Sequence, residues 1–431
     1  MTLDLTRRTV VTAVGYSALS AVFTSAERGG RSAPGRWAAQ PEERPPEQKG
    51  SKPEKAPDDT SSKKGGSSGG SEPKGEPVSQ TAAAHGGKPT IPGPPPKKIK
   101  LALVGLGKLM VDEVLPALGQ SQRCEVTALV TGNPEKGRAI ARHFGIEDAK
   151  ILGYGDIPRL KDDQSVEAVY IATPNTVHTR DTVAALEAGK HVCCEKPLAG
   201  TVEDCERMIR AAKQAGRTLM TAYRVHHEPI NNEMRRMIRE GTYGRPRFVN
   251  FDACLDVGKR EQYRLSKELA GGGSLFDIGI YALNTTRWLL GESPVEASAM
   301  INDQSGDERF DEVDGYIAFQ LRFPSGCIAV CTSSFGTARV NRYKVICERG
   351  WVGMEPATEY RTLHGFHGDD TQVCEIKKPF SVNQFTAELD HFARCIAEGK
   401  EVESSGEEGR RDVDFMHKIY HAARSGRRVE L

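Results

Sequence analysis

From Lys98 onward, apolar runs alternate with amphipathic stretches, and the period of that pattern changes once along the chain. The run Lys98-Ile-Lys-Leu-Ala-Leu-Val-Gly105 is apolar almost without a break, as expected of a strand buried on both faces. An amphipathic helix to about Leu118 and a second strand over Val126–Thr131 follow. Ala168–Ala172, His191–Cys194 and Thr218–Ala222 repeat the strand pattern, with helical stretches between them. Strands alternating with helices predict a doubly wound parallel sheet. Past Arg247 the period falls to two. Phe248-Val-Asn-Phe-Asp-Ala-Cys254 alternates in this way, and a helix is expected over Ser274–Leu290. Strand-like runs then follow at Val295–Ile301, Tyr316–Phe323, Cys327–Ser333 and Tyr343–Cys347. This half reads as an α+β domain with an open antiparallel sheet, one face covered by helices and the other free to pair with another subunit. Two helices close the chain, near 383–398 and 408–425. The expected fold class is α/β, with domains over 98–224 and 225–431.

The first 97 residues have neither period. Thr6-Arg7-Arg8 precedes an uncharged apolar run, Val10 to Phe23, whose 14 residues are short for a membrane span. A twin arginine before a mildly apolar run reads as a twin-arginine export signal over 1–26. Cleavage is expected near Ala26, with an uncleaved membrane anchor as the alternative, and the destination is the periplasm or envelope. Residues 27–97 are dominated by Pro, Gly, Ser, Lys and Glu, with Trp37 the only aromatic. Such a segment buries too little apolar area to offset its ordering entropy, so it reads as a disordered linker spanning roughly 45 Å.

Composition narrows the function. A net charge of +1 gives no general attraction to nucleic acid. Ten cysteines are present, but no CxxC pair and no Cys/His cluster of zinc spacing, so no metal site is expected. They read as reduced core thiols; whether Cys327 and Cys331 meet across a sheet stays open.

The first strand runs into Gly105-Leu-Gly107-Lys108-Leu109-Met110, a G-x-G turn opening a helix. Gly105 allows the tight turn, Gly107 lets backbone approach a pyrophosphate, and the helix N-terminus offers free N–H groups. Met110 stands at the third glycine position, so the fingerprint is incomplete. At the tip of the second strand, NAD-binding proteins usually place an acid. Here stand Thr131, Asn133 and Lys136, with Arg138 beyond; a hydroxyl, an amide and cations suit a 2′-phosphate, so NADP is preferred to NAD. Thr173, Asn175, Glu195, Lys196 and Arg224 fall at later strand ends, where ligands of such sheets bind, and His178 opens a helix. Tyr154, after the third strand, is placed on the adenine side.

At Glu195-Lys196-Pro197 the chain resembles the Gfo/Idh/MocA dehydrogenases, which pair a Rossmann domain with an open-sheet α/β domain. VGLGK (104–108), TPN…H (173–178), CEKPLAG (194–200), AYR (222–224), LAGGGSLFDIGIY (269–281) and NQFTAELDHF (383–392) carry the likeness. Many members end the Asp-containing motif with His; Tyr281 here resembles the glucose–fructose oxidoreductase branch, as do TGNPEK (131–136), YRLSKELAGGG (263–273) and SGEEGRRD (405–412). The resemblance implies a cis Lys196–Pro197 bond that points the ammonium into the cleft, and a homo-oligomer, dimer or tetramer, formed through the antiparallel sheet.

The chemistry expected is hydride transfer from a sugar carbon to nicotinamide, with the protein removing the hydroxyl proton. Asp277 and Tyr281, four apart on a helix, would share a face. Tyr281 is the expected base: an unperturbed phenol titrates near 10, and a neighbouring Lys196 cation and oxidised nicotinamide would favour the phenolate. Asp277 would orient Lys196 or the substrate, Gly271-Gly272-Gly273 would let the helix start close against a ligand, and His226 and Tyr263 lie on substrate-side segments. The function expected is an NADP-dependent sugar oxidoreductase, with aldose-to-ketose transfer on a retained cofactor as one form. A dehydrogenase with dissociable NAD(P), a glycoside-processing enzyme using transient oxidation, and a non-catalytic sugar sensor are the alternatives.

Overall fold

In a computed structural model the described residues are 97–302, 306–377 and 383–431. The expected export signal and nearly all of the linker lie outside them. Six strands form a parallel sheet: β1 (Ile99–Val104), β2 (Cys124–Val130), β3 (Lys150–Leu152), β4 (Ala168–Ile171), β5 (His191–Glu195) and β6 (Leu219–Ala222), in the order β3-β2-β1-β4-β5-β6. Every side chain of β4 is buried, which accounts for its unbroken apolar sequence. The order reverses beside β1, and in open α/β sheets the crevice at that point takes ligands.

Around this sheet lie α1 (Leu115–Leu118), α2 (Pro134–His143), α3 (His178–Glu187) and α4 (Val202–Ala215). The helix expected after the glycine turn begins instead as a π-helical turn, Met110–Val114, and becomes α-helical only at α1. Met110 is fully buried there, packed in the core beneath the sheet.

The second half contains α5 (Pro229–Arg239), β7 (Pro246–Asp256), α6 (Lys267–Ala270), α7 (Ile280–Leu290), β8 (Glu296–Asn302), β9 (Tyr316–Arg322), β10 (Ile328–Ser334) and β11 (Gly336–Cys347). β12 (Trp351–Met354), β13 (Gly365–Gly368) and β14 (Val373–Ile376) follow; after α8 (Gln384–Glu398) and α9 (Gly406–Ser425) comes β15 (Val429–Glu430). Its nine strands run β14-β13-β12-β11-β7-β10-β9-β8-β15. The sheet is mixed rather than purely antiparallel, because β7 and β10 pair in parallel at its centre. One face packs against α7 and its neighbours, while Phe248, Ile328, Val330 and Ile346 are exposed.

The closing helices do not stay with the second half. Phe385, Leu389 and Phe392 of α8 join Leu101, Leu103, Leu129, Tyr170 and Cys193 in one buried cluster of the first sheet. α9 packs so closely on β6 that a Cβ on Gly409 would lie 2.4 Å from Thr221 Oγ1. All ten cysteines are free, eight of them buried. Cys331 lies on β10 and Cys327 immediately precedes it, so the two are neighbours along one chain segment rather than partners across the sheet.

Candidate active site

The ends of β1, β4 and β5 build one edge of the first sheet. Gly105 follows β1 with φ +88°, and a Cβ there would stand 2.7 Å from the Ala172 carbonyl oxygen, so the turn requires glycine. Gly107 is surrounded by open space, Lys108 is exposed and Leu109 half-buried. Thr173 Oγ1, just past β4, is buried and has no hydrogen-bond partner among the described residues. A side-chain-free turn beside a buried hydroxyl in need of a partner fits a dinucleotide phosphate. At the tip of β2, Thr131 Oγ1 accepts from the Asn133 N–H (3.2 Å), and Asn133 Oδ1 accepts from the Lys136 N–H (3.0 Å), capping α2. Lys136 is exposed. Tyr154 lies 3.5 Å from where a Cβ on Gly132 would be, with the Arg180 guanidinium 5.8 Å from its ring centroid.

Three expected nucleotide contacts are engaged with protein. Asn175 Nδ2 donates to Ala270 O (2.9 Å) and so pins α6 to the first sheet. His178, 1% exposed, has its ring nitrogens 3.0 Å from Pro197 O and 2.8 Å from Thr173 O, tying together the ends of β4 and β5; burial lowers its pKa. Glu195 accepts from the Tyr170 hydroxyl (2.7 Å) and the Lys196 N–H (3.2 Å), and burial raises its pKa.

Lys196 follows β5, and the Lys196–Pro197 bond is cis. Its ammonium donates to Asp277 O (2.5 Å) and Asp277 Oδ1 (3.1 Å) and stands 4.8 Å from the Tyr281 ring centroid. Arg264 Nε donates to the other Asp277 oxygen at 2.7 Å. Burial opposes the Asp277 charge, but Arg264 and Lys196 outweigh it and hold the carboxyl well below the usual range. Burial likewise opposes the Lys196 charge, but Tyr281, Asp277 and Glu195 raise its pKa above that of an ordinary lysine. Lys196 therefore keeps its proton and has no lone pair with which to act as a base.

Arg224, expected among the nucleotide contacts, is brought to Tyr281 instead. Its Nη2 donates to the Tyr281 hydroxyl (3.1 Å) and Thr358 O (2.6 Å), and its Nη1 to Gln384 Oε1 (2.6 Å). Tyr360 and Phe385 stack against the guanidinium, which is 5% exposed. Tyr263 lies under Arg264, 4.9 Å from its guanidinium, and burial raises its pKa. His226 is not joined to this cluster: its ring stacks 4.7 Å from Trp288, and its Nε2 lies 2.8 Å from Asn284 Oδ1.

The segment with Asp277 and Tyr281 is not one α-helix. Leu275–Gly279 is a π-helical turn, and α7 begins at Ile280. Its start is fixed by Asp314, which accepts from the Gly273 N–H (2.9 Å), Ser274 Oγ (2.8 Å), the Leu275 N–H (3.1 Å) and the Tyr420 hydroxyl. The three glycines meet protein rather than ligand. A Cβ on Gly273 would stand 2.1 Å from Asp314 O, one on Gly272 2.7 Å from Phe276, and one on Gly271 3.1 Å from Gly200 Cα. Arg264, Asp314, Gln384 and Tyr360 were not expected at the site from sequence. Neither was Glu388, fully buried on α8, whose two carboxyl oxygens have no hydrogen-bond partner among the described residues.

A glycine turn that fits phosphates, a lysine held cationic and a phenol gathered at one edge of a doubly wound sheet define a nicotinamide-dependent oxidoreductase class. The chain belongs to the Gfo/Idh/MocA oxidoreductase family: residues 99–223 match its NAD-binding Rossmann fold and residues 231–353 its C-terminal domain. It is similar to D-xylose 1-dehydrogenase [NADP(+)] of Haloarcula marismortui, 33% identical over 77% of this chain and 93% of that protein. A 1,5-anhydro-D-fructose reductase of Ensifer adhaerens is 35% identical over 54% of this chain and 69% of its own. Among solved structures, aldose-aldose oxidoreductase from Caulobacter crescentus is 41% identical, with a TM-score of 0.75, covering 78% of this chain and all (100%) of that one.

Proposed function

We propose that the protein is an NADP-dependent sugar oxidoreductase that moves a hydride between a pyranose carbon and nicotinamide, with Tyr281 exchanging the hydroxyl proton. The observation that carries this reading is the gathering of Lys196, Asp277 and Tyr281 at the end of β5, on the edge that holds the glycine turn. Gly105, Gly107, Lys108, Leu109 and Thr173 would hold the phosphates, and Thr131, Asn133, Lys136 and Tyr154 the adenosine end. The absence of an acid at the tip of β2 favours NADP, as do relatives named for NADP(+). Bound there, the nucleotide supplies the hydride acceptor or donor.

The chain's own groups divide the proton work. Lys196 donates to the reacting sugar oxygen and holds it in place. Asp277, ionised between Lys196 and Arg264, fixes the ammonium. Tyr281 takes the proton as a phenolate, and Arg224, already donating to its oxygen, stabilises that negative charge before the transfer and when Tyr281 gives the proton back in the reverse direction. The Caulobacter relative's name supports transfer between two sugars, and retention of the nucleotide from one sugar to the next belongs to the same reading. Export through Arg7-Arg8 and self-association through the uncovered face of the second sheet belong to the same reading.

The test follows the hydride. Purified full-length protein is incubated with NADP+ and D-glucose or D-xylose deuterated at C1, with and without a second, unlabelled sugar. Deuterium is expected in the second sugar or in NADPH. If no deuterium leaves C1 under either condition, the reading fails.

A further inference from the structure

Arg264 is engaged through only one of its nitrogens. Its Nε donates to Asp277 Oδ2 (2.7 Å), and among the described residues neither Nη1 nor Nη2 makes a hydrogen bond. A guanidinium carries five N–H donors in a rigid plane, so the four on its terminal nitrogens are uncommitted. Arg264 is also the most open of the charged side chains gathered here. Its side chain is 38% exposed, against 18% for Asp277 and 10% for Lys196.

The guanidinium is held in place all the same. The Tyr263 ring lies against it, 4.9 Å from centroid to guanidinium carbon, and Asp277 holds its Nε. The other Asp277 oxygen accepts from Lys196, so the two cations stand on either side of one carboxylate. That carboxylate is ionised and already balances the Arg264 charge, so the free edge offers donors rather than a demand for an anion. Those donors lie one carboxylate away from the ammonium that meets the reacting sugar oxygen. A pyranose with that oxygen on Lys196 brings its neighbouring hydroxyl to the same edge, and a donor pair fixed in advance costs little entropy to use. With a sugar bound here, as the hydride-transfer reading requires, we propose that Arg264 determines substrate specificity: its terminal nitrogens donate to the hydroxyl on the carbon adjacent to the reacting one, which selects sugars with a vicinal diol.

The experiment compares D-glucose, 2-deoxy-D-glucose and 4-deoxy-D-glucose as donors to NADP+, in full-length wild type, Arg264→Lys and Arg264→Gln. Arg264→Lys keeps a cation beside Asp277 and loses only the fork. For hydride transfer from C1 the adjacent hydroxyl is at C2. Wild type is expected to prefer D-glucose over the 2-deoxy sugar at least about tenfold in kcat/KM, because the unpaired donors reject the analogue. Both variants should shrink that ratio at least about fivefold and leave the ratio to the 4-deoxy sugar unchanged. Calorimetric binding of the three sugars to NADPH-loaded protein should follow the same order, with NADP+ affinity unaltered. Equal use of D-glucose and the 2-deoxy sugar by wild type would overturn the proposal. So would variants that slow all three sugars by one factor, since Arg264 would then serve Asp277 alone. Hydride transfer from none of the sugars in wild type would sink the oxidoreductase reading along with it.

Discussion

Two cations stand against the phenol of Tyr281, and they play different parts. Lys196 lies over the ring, while Arg224 donates to the hydroxyl itself. Tyr281→Phe removes only the oxygen. It is expected to lower kcat by about 10²–10⁴-fold, the usual worth of a proton-transfer group, while nucleotide titration gives an unchanged affinity. Near-wild-type turnover would take Tyr281 out of the proton path. Arg224→Lys tests the second cation. A lysine cannot hold Thr358 O, Gln384 and the Tyr281 hydroxyl together as the planar fork does, so kcat should fall about 10–100-fold with KM changing less. Steady-state kinetics decides, and an unchanged kcat would confine Arg224 to packing. Behind them, burial and then the neighbouring Glu195 push the Glu388 carboxyl well above its ordinary range, so it is protonated. Glu388→Gln, nearly isosteric and neutral, is expected to change unfolding free energy by less than about 1 kcal/mol in urea; a larger loss would mean that the carboxyl is charged.

At the scale of elements, the reactive helix depends on an aspartate from elsewhere. Asp314→Ala would leave the Gly273 and Leu275 N–H groups, Ser274 Oγ and the Tyr420 hydroxyl without their shared acceptor. Unsatisfied buried donors cost ~1–3 kcal/mol each, so a loss of at least about 3 kcal/mol is expected in urea unfolding, together with reduced turnover. A variant as stable as wild type would show that the segment caps itself. Nothing in the sequence marks this dependence. Strands β1, β4 and β5 are legible because burial on both faces forces unbroken apolar runs. β11 starts at Gly336 rather than Tyr343 because its first half is polar and little buried, so no alternation betrays it. The parallel pairing of β7 and β10 is set by contacts far apart in the chain, which no local period encodes. The site divides in the same way. Lys196, Asp277 and Tyr281 sit in short motifs, whereas the roles of Asp314 and Gln384 arise from partners 40 and 160 residues away. His226 shows the converse: its position beside the AYR motif suggests the substrate, and the packing of its ring on Trp288 is not marked in the sequence.

At the scale of the whole molecule, several histidines are folded in their neutral form. Burial lowers the pKa of His191 and His226 to about 4, and lowers those of His178 and His227 as well. Free histidine titrates near 6.5. Between about pH 6.5 and 4 the unfolded chain therefore takes up protons that the folded chain refuses, and stability falls as pH falls. Urea midpoints should be lower at pH 5 than at pH 7.5. His191→Asn, which keeps an acceptor for the Thr218 N–H, should show a shallower decline. A midpoint that rises on acidification across this window would refute the assignment.

The helix that seals the first sheet is made long after the sheet itself. Phe385, Leu389 and Phe392 leave the ribosome about 160 residues after β6. Until then the nascent nucleotide half carries an apolar side that its own π-helical turn, α1 and α2 cover only in part. The two halves are therefore not interchangeable cassettes. A chimera spliced between relatives after β6 would give one parent's sheet another parent's closing helix, and the misfit would fall where Gln384 braces Arg224.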